Sequence, residues 1–311
     1  EWQTLRRYPI LNWNMGMTYR LRERDERVYP QGELARRTIG QVGDKGNYGV
    51  EYVLRDVLEG RDGKARRQRI ARGFYGRVVG GDNSEPEDGL DVVTTLDLEM
   101  QDVADRALRR QLEAQNALWG TALVMEVATG DLLAMANLSR TKSGAYAEVK
   151  NHALSSRMEP GSTFKLAALL ALVDDAGMSL DETFDTGNGA RVKVGRTTVQ
   201  DSHGLPPLNL KDAVAHSSNV FFARAVYETY KDDPERYVDY LRHLHLDRTV
   251  GLEEFGAVAP IFPAPGMKIW YPDVSIVNMG YGYAIELTPL HTLTLYNAVA
   301  NDGCMVAPRL V

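Results

Sequence analysis

The chain has 311 residues, 44% of them hydrophobic and 25% charged, which is ordinary globular composition with enough apolar material for a sizeable core and, at this length, more often two domains than one. No run approaches the eighteen or so apolar residues of a membrane span, and no basic-then-apolar signal segment opens the chain. The net charge of −6 hides an asymmetry: residues 1–80 hold 17 Lys and Arg against 10 Asp and Glu, so they carry +7 and the remainder −13 (−6 minus 7). That step predicts a domain boundary after about residue 80. The arginines at 66, 67, 69 and 72 lack interleaved aromatics, so a solvated surface or a protein contact is expected there and no nucleic-acid partner. Because the chain starts at Glu1 rather than Met, it is expected to be a fragment whose anchoring segment has been left out.

Residues 1–80 read as short extended pieces punctuated by Gly and Pro, with one helix from about Tyr48 to Leu58 that Gly60 ends. The polar, turn-rich stretch from Gly80 to Gly89 reads as a linker. Asp91 to Thr95 is β-branched and strand-like, and a helical period follows from Leu98 to Leu112. Two apolar runs, Thr121–Val127 and Leu132–Ala136, flank Ala-Thr-Gly-Asp and predict an antiparallel hairpin. A polar loop is expected from Leu138 to about Asn151. Further on, Leu210–Tyr230, Pro234–Leu244 and Pro289–Val299 look helical, the last with Thr288 as N-cap and Gly303 as its stop. Strands, then helices, then strands again indicate an α+β fold with a largely antiparallel sheet.

The chemistry concentrates at Glu159-Pro-Gly-Ser-Thr-Phe-Lys165, which runs directly into Leu-Ala-Ala-Leu-Leu-Ala-Leu-Val. Pro-Gly forces a turn, and the apolar block after it has no polar face, so a buried helix ending near Gly177 is predicted. Ser162 then sits at the helix start, with Lys165 one turn on and sharing its face. A serine hydroxyl is a poor nucleophile until a base takes its proton. A lysine can be that base only as the neutral amine, so its pKa must fall from about 10.4, which desolvation and the positive end of the helix dipole both favour. The alternative is that Ser162 merely caps the helix while Lys165 snorkels to solvent. With 11 Ser and 9 Lys in the chain, chance predicts ~0.3 Ser-x-x-Lys matches. A second match, Ser139-Arg-Thr-Lys142, lies in the polar loop with nothing to desolvate its lysine. Downstream, within Ala215-His-Ser-Ser-Asn-Val-Phe-Phe222, the polar triplet Ser217-Ser218-Asn219 interrupts an apolar stretch and is either Ser-x-Asn facing a cleft or a helix cap made by Ser217 or Ser218.

Taken together, these segments resemble the class B penicillin-binding proteins, the membrane-anchored transpeptidases of bacterial cell-wall synthesis. The likeness runs through Arg27-Val-Tyr-Pro-Gln-Gly-Glu-Leu-Ala35 with Ile39-Gly40, and through Gly49-Val-Glu51 with Leu58-Glu-Gly60. It continues in Val93-Thr-Thr-Leu-Asp-Leu-Glu-Met-Gln101, Glu126-Val-Ala-Thr-Gly-Asp-Leu-Leu-Ala-Met-Ala136, the Ser162 segment, and Gly280-Tyr-Gly-Tyr-Ala-Ile-Glu-Leu-Thr-Pro289. The resemblance implies an antiparallel sheet flanked by helices, similar to the serine β-lactamases, over residues 89–311, and a smaller N-terminal pedestal over residues 1–88. It implies that Ser162 is the nucleophile and Lys165 its base, while Ser217 and Asn219 relay protons and hold the substrate amide. The substrate would be a D-alanyl-D-alanine stem peptide, and β-lactams would acylate the same serine. No cofactor or metal is implied. Partners would be a glycosyltransferase and division-complex proteins, the membrane being reached through an N-terminal anchor on the extracytoplasmic side. Glutamate before Pro-Gly looks like the septal members.

The family's third motif, a Lys-Thr-Gly or Lys-Ser-Gly strand, does not occur between the second motif and Val311, and Lys142-Ser-Gly144 precedes the nucleophile. The transpeptidase domain is therefore expected to be incomplete and, by itself, slow to acylate. Two other readings stay open: a carboxypeptidase or β-lactamase using the same Ser/Lys pair, and a non-catalytic β-lactam sensor. Asp201-Ser-His203 is expected to be a structured loop at the cleft rim, not a triad fragment. His243 and His245 lie two apart, too close for one helix face, so no metal site is expected. Lone Cys304 excludes an internal disulfide and should be a half-buried apolar residue near a turn.

Overall fold

A computed structural model describes residues 28–43, 46–64, 67–71, 74–77 and 83–311. The chain divides into two units, Glu1–Gly32 and Glu33–Val311. Of the first, the described part is a turn in which Gly32 N–H donates to Tyr29 O at 3.0 Å. All that follows concerns the second.

Its N-terminal part carries three short helices, α1 (Arg36–Ile39), α2 (Gly49–Val53) and α3 (Arg55–Leu58), and a two-stranded ribbon of β1 (Arg67–Ala71) and β2 (Phe74–Arg77). The helix predicted over Tyr48–Leu58 is thus split at Leu54, and Gly60 ends it with φ +65°. Arg66 and Arg72 lie outside the described residues. The stretch Asp91–Thr95 is extended but pairs in no ladder; Thr95 instead donates its N–H to Leu310 O and its hydroxyl to Leu132 O.

The main sheet is antiparallel, in the order β3 (Trp119–Met125), β4 (Leu132–Arg140), β5 (Tyr146–Ala147). Trp119 lies opposite Ser139 and Ala122 opposite Ala136. The expected loop after Leu138 therefore contains the end of β4 and all of β5, because Tyr146 turns inward to bury its ring with Leu112 and Leu138. Helix α4 (Leu98–Gln115), capped by the Asp97 carboxylate on Met100 N–H, covers one sheet face. Ala104 and Leu108 pack on Ala122, Ala134 and Ala136. The approach is close enough that a Cβ on Gly120 would stand 2.9 Å from Leu112 Cδ2. The other face packs Leu132 and Met135 against Leu154 of α5 (His152–Ser155), Leu290 of α11 (Pro289–Ala300) and Val50 of α2.

A second, mostly helical core surrounds α6 (Lys165–Leu170). It is built from α7 (Leu210–His216), α8 (Asn219–Tyr230), α9 (Pro234–His243) and α10 (Ser275–Met279). Two small antiparallel ladders edge it: β6 (Thr183–Phe184) with β9 (Leu208–Asn209), and the hairpin β7 (Val192–Val194) with β8 (Thr197–Val199). The apolar block after Lys165 is buried as its all-round hydrophobicity requires, with Ala167, Ala168, Ala171 and Leu172 inaccessible. The run ends in a wide turn, Ala176 N–H donating to Ala171 O; the Tyr230 hydroxyl also donates to that carbonyl, at 2.7 Å, and to Asp175. The single helix expected over Leu210–Tyr230 is broken at Ser217, whose φ of +52° is left-handed. Cys304 is exposed rather than half-buried, directly after the turn that follows α11.

Candidate active site

Ser162 sits in a tight turn, Gly161–Phe164, that leads into α6. Gly161 has φ +55°, a conformation glycine adopts without strain. The turn is fastened from outside by the loop after α10. Gly161 N–H donates to Gly282 O at 2.9 Å, and the Glu159 carboxylate accepts Ala284 N–H at 3.0 Å. Met158 and Leu287 form a bridge on the approach to the turn. A Cβ on Gly282 would lie 1.9 Å from Gly161 O, so the two backbones touch directly. From α11 the Tyr296 hydroxyl donates to Thr163 O. The result is an exposed serine on a turn held from several sides.

Lys165, one turn on, is buried at 5% exposure. Its Nζ lies 3.1 Å from Ser162 Oγ, 2.5 Å from Ser217 O, 3.0 Å from Ser217 Oγ and 2.7 Å from Asn219 Oδ1. All four site residues named from the sequence therefore meet at one nitrogen. The chemistry of the neighbours matters. The Ser217 carbonyl and Asn219 amide oxygens can only accept, and so take two N–H bonds from the amine. The Ser162 and Ser217 hydroxyls accept from the charged ammonium, and once it is neutral either one of them can turn to donate to its single lone pair. Burial lowers the Lys165 pKa from 10.5 to about 8, while the negative charge of Asp201 holds it up against the full effect. A base poised there can take a hydroxyl proton near neutral pH.

The left-handed Ser217 makes this convergence possible. It ends α7 and turns the chain so that its carbonyl and hydroxyl both face Lys165, after which α8 starts at Asn219. The polar triplet divides: Ser217 and Asn219 bond Lys165, whereas buried Ser218 is the cap, its Oγ accepting Phe221 N–H at 3.0 Å.

The second Ser-x-x-Lys match does not assemble. Ser139 lies in β4, not in a loop, and its hydroxyl hydrogen-bonds His152 Nε2 at 2.7 Å while Lys142 is on an exposed turn. His152, stacked on Trp119 and bonded to Ser156, has its pKa lowered to about 4 by burial and by Lys150. His203 and His216 stand edge to face at 6.5 Å on an exposed rim beside Ser217. No group of three His, Cys, Asp or Glu side chains is placed to hold a metal among the described residues. Reading the sequence missed Asp201: it is buried under the start of α8, not a rim residue, and its only advance signal was a carboxylate following a β-branched run.

The family model for the penicillin-binding protein transpeptidase domain matches residues 120–311. The chain is 27% identical over 292 residues to the probable peptidoglycan D,D-transpeptidase PenA of Neisseria meningitidis, covering 90% of this chain and 48% of that protein. It is 30% identical over 304 residues to penicillin-binding protein PbpB of Mycobacterium tuberculosis, covering 92% and 43%. The chain thus spans under half the length of these relatives. Among solved structures, penicillin-binding protein 3 of Mycobacterium tuberculosis complexed with aztreonam superposes with a TM-score of 0.76 at 28% identity, over 93% of this chain and 61% of that one. The site geometry, the α+β fold and the matched segment agree: this chain belongs to the penicillin-binding protein transpeptidase family.

Proposed function

We propose that this chain carries the acyl-transfer centre of a peptidoglycan D,D-transpeptidase acting in septal wall synthesis. The observation that carries the reading is the buried amine of Lys165, held between the exposed Ser162 hydroxyl and the Ser217/Asn219 pair. Ser162 Oγ attacks the carbonyl of the penultimate D-alanine as its proton passes to Lys165 Nζ. The tetrahedral adduct collapses, the C–N bond breaks, and the departing D-alanine amine takes a proton from Lys165 through the Ser217 hydroxyl. An amine from a second stem peptide then attacks the ester, and its proton returns by the same route as Ser162 is released. A β-lactam follows the first half of this sequence, its ring C–N bond breaking while the leaving group stays tethered. The aztreonam complex of the similar structure supports that half.

Residues 1–88 are read as the pedestal and 89–311 as the transpeptidase domain, at the extracytoplasmic face of the membrane behind an N-terminal anchor. A glycosyltransferase and division proteins are the expected partners. Glu159, whose carboxylate ties the Ser162 turn to Ala284 N–H, carries the septal assignment through its family resemblance. A fluorescent penicillin tests the reading. The full-length protein should form a stable adduct mapped by mass spectrometry to Ser162 and absent from Ser162→Ala. Labelling that survives in Ser162→Ala refutes it, and an adduct released within minutes identifies a hydrolase.

A further inference from the structure

Asp201 follows β8 and is buried, yet no lysine or arginine among the described residues forms an ion pair with it. Its carboxylate instead gathers three consecutive residues of the second motif. Ser218 Oγ–H donates to Oδ2 at 2.8 Å, while Asn219 N–H and Val220 N–H donate to Oδ1 at 2.5 and 3.2 Å. The preceding Gln200 carbonyl lies 3.5 Å from Asn219 Nδ2. These groups are the first, otherwise unsatisfied donors of α8, and an anion there also opposes the positive helix end.

The Ser217 backbone explains why such a clamp is needed. A left-handed conformation in a non-glycine residue is unfavourable and persists only where its surroundings impose it. The apolar periodicity of residues 210–230 by itself would continue one helix through Ser217. A continuous helix would point the Ser217 carbonyl along its own axis rather than at Lys165.

We infer that Asp201 is a positioning residue of the acyl-transfer centre: by clamping Ser218, Asn219 and Val220 it breaks the helix at Ser217 and presents Ser217 and Asn219 to Lys165. The inference rests on the acyl-transfer reading of Ser162 and Lys165. It has an electrostatic consequence, because Asp201 is the ionisable side chain that acts on Lys165, the groups in contact with Nζ being the uncharged oxygens of Ser162, Ser217 and Asn219, with the Phe222 ring of α8 at 5.9 Å. Removing the charge eases loss of the Lys165 proton, so the point at which the base becomes active moves to lower pH.

Two measurements on the full-length protein test this: the pH dependence of acylation by a fluorescent penicillin, and the titration of Lys165 followed by NMR, which needs no substrate. Asp201→Ala should acylate roughly 10- to 100-fold more slowly, the loss expected when charged hydrogen bonds are removed. Asp201→Asn should keep the fold and lower the Lys165 titration midpoint, with the acylation limb moving the same way. Ser218→Ala, which keeps the charge and drops one of the three bonds, should slow acylation with no shift in either curve. An Asp201→Asn protein whose curves coincide with the wild type, or an Asp201→Ala protein acylating at the wild-type rate, overturns the inference. If Ser162 is never acylated, the functional reading fails and the Lys165 titration still decides the role of Asp201.

Discussion

At the scale of single residues, the proposed acyl transfer turns on the protonation of one nitrogen. With the Lys165 pKa near 8, the neutral amine is the minor form at pH 7 and the major form at pH 9. The acylation rate should therefore climb about tenfold per pH unit below pH 8 and level off above it. Arginine in place of Lys165 keeps the positive charge but cannot release its proton, so Lys165→Arg should lose at least ~10² in rate without losing stability in proportion. Stopped-flow labelling across pH checks both. The pairing of Ser162 with Lys165 was legible in the sequence because a three-residue spacing puts both on one helix face and the apolar block after them sets them apart from Ser139 and Lys142, while the roles proposed for them came from the family resemblance. The position of Ser217 and Asn219 was legible only as a polar interruption in an apolar stretch, since it depends on contacts from residues some 50 positions away in the chain.

At the scale of elements, local patterning predicted what local forces decide. The hairpin of β3 and β4 and the helix α4 follow from two apolar runs about a turn tetrapeptide and from a helical period. Where the sequence misled, a distant group had overridden the period. The helix break at Ser217 requires Asp201, and β5 requires the burial of Tyr146 under α4. The Ser162 turn is the same kind of case, because it is held against the Gly282 loop by direct backbone contact and by the Glu159 carboxylate. Gly282 has φ +91° as well as the 1.9 Å approach, so Gly282→Ala must push the loop off the turn. The expected result is a fall of several degrees in Tm together with acylation slowed at least tenfold, seen by thermal denaturation and penicillin labelling of the same sample.

At the scale of the whole unit, two buried groups give stability opposing pH dependences. Glu148, just after β5, accepts Arg37 N–H at 2.7 Å through one oxygen and buries the other without a partner, tying α1 to the segment that follows the sheet. Burial raises its pKa from 4.5 to about 7. The folded chain therefore holds a proton that the unfolded chain has released between those values, and stability falls as pH rises across that window. His152, lowered to about 4 from 6.5, does the reverse: the unfolded chain takes up the proton first, so stability rises with pH between those values. The two offset over most of the mildly acidic range. Glu148→Gln should therefore leave a steeper rise in stability from pH 4 to 6.5, and should be more stable than the wild type above pH 7. Urea unfolding at a series of pH values checks it, and coincident wild-type and variant curves would refute the assignment.

The four oxygens around Lys165 Nζ have one more consequence. They are fixed by the Ser162 turn, the left-handed Ser217 and the start of α8, not by the lysine that they surround. Truncating that side chain leaves a vacant receptor shaped for a primary amine, with a narrow apolar channel where the butyl stem had been. Such a hollow should bind a small alkylamine from solution. Acylation of Lys165→Ala should recover in proportion to added propylamine, and should respond far less to guanidine, whose flat, permanently protonated head can neither fit the hollow nor accept the serine proton.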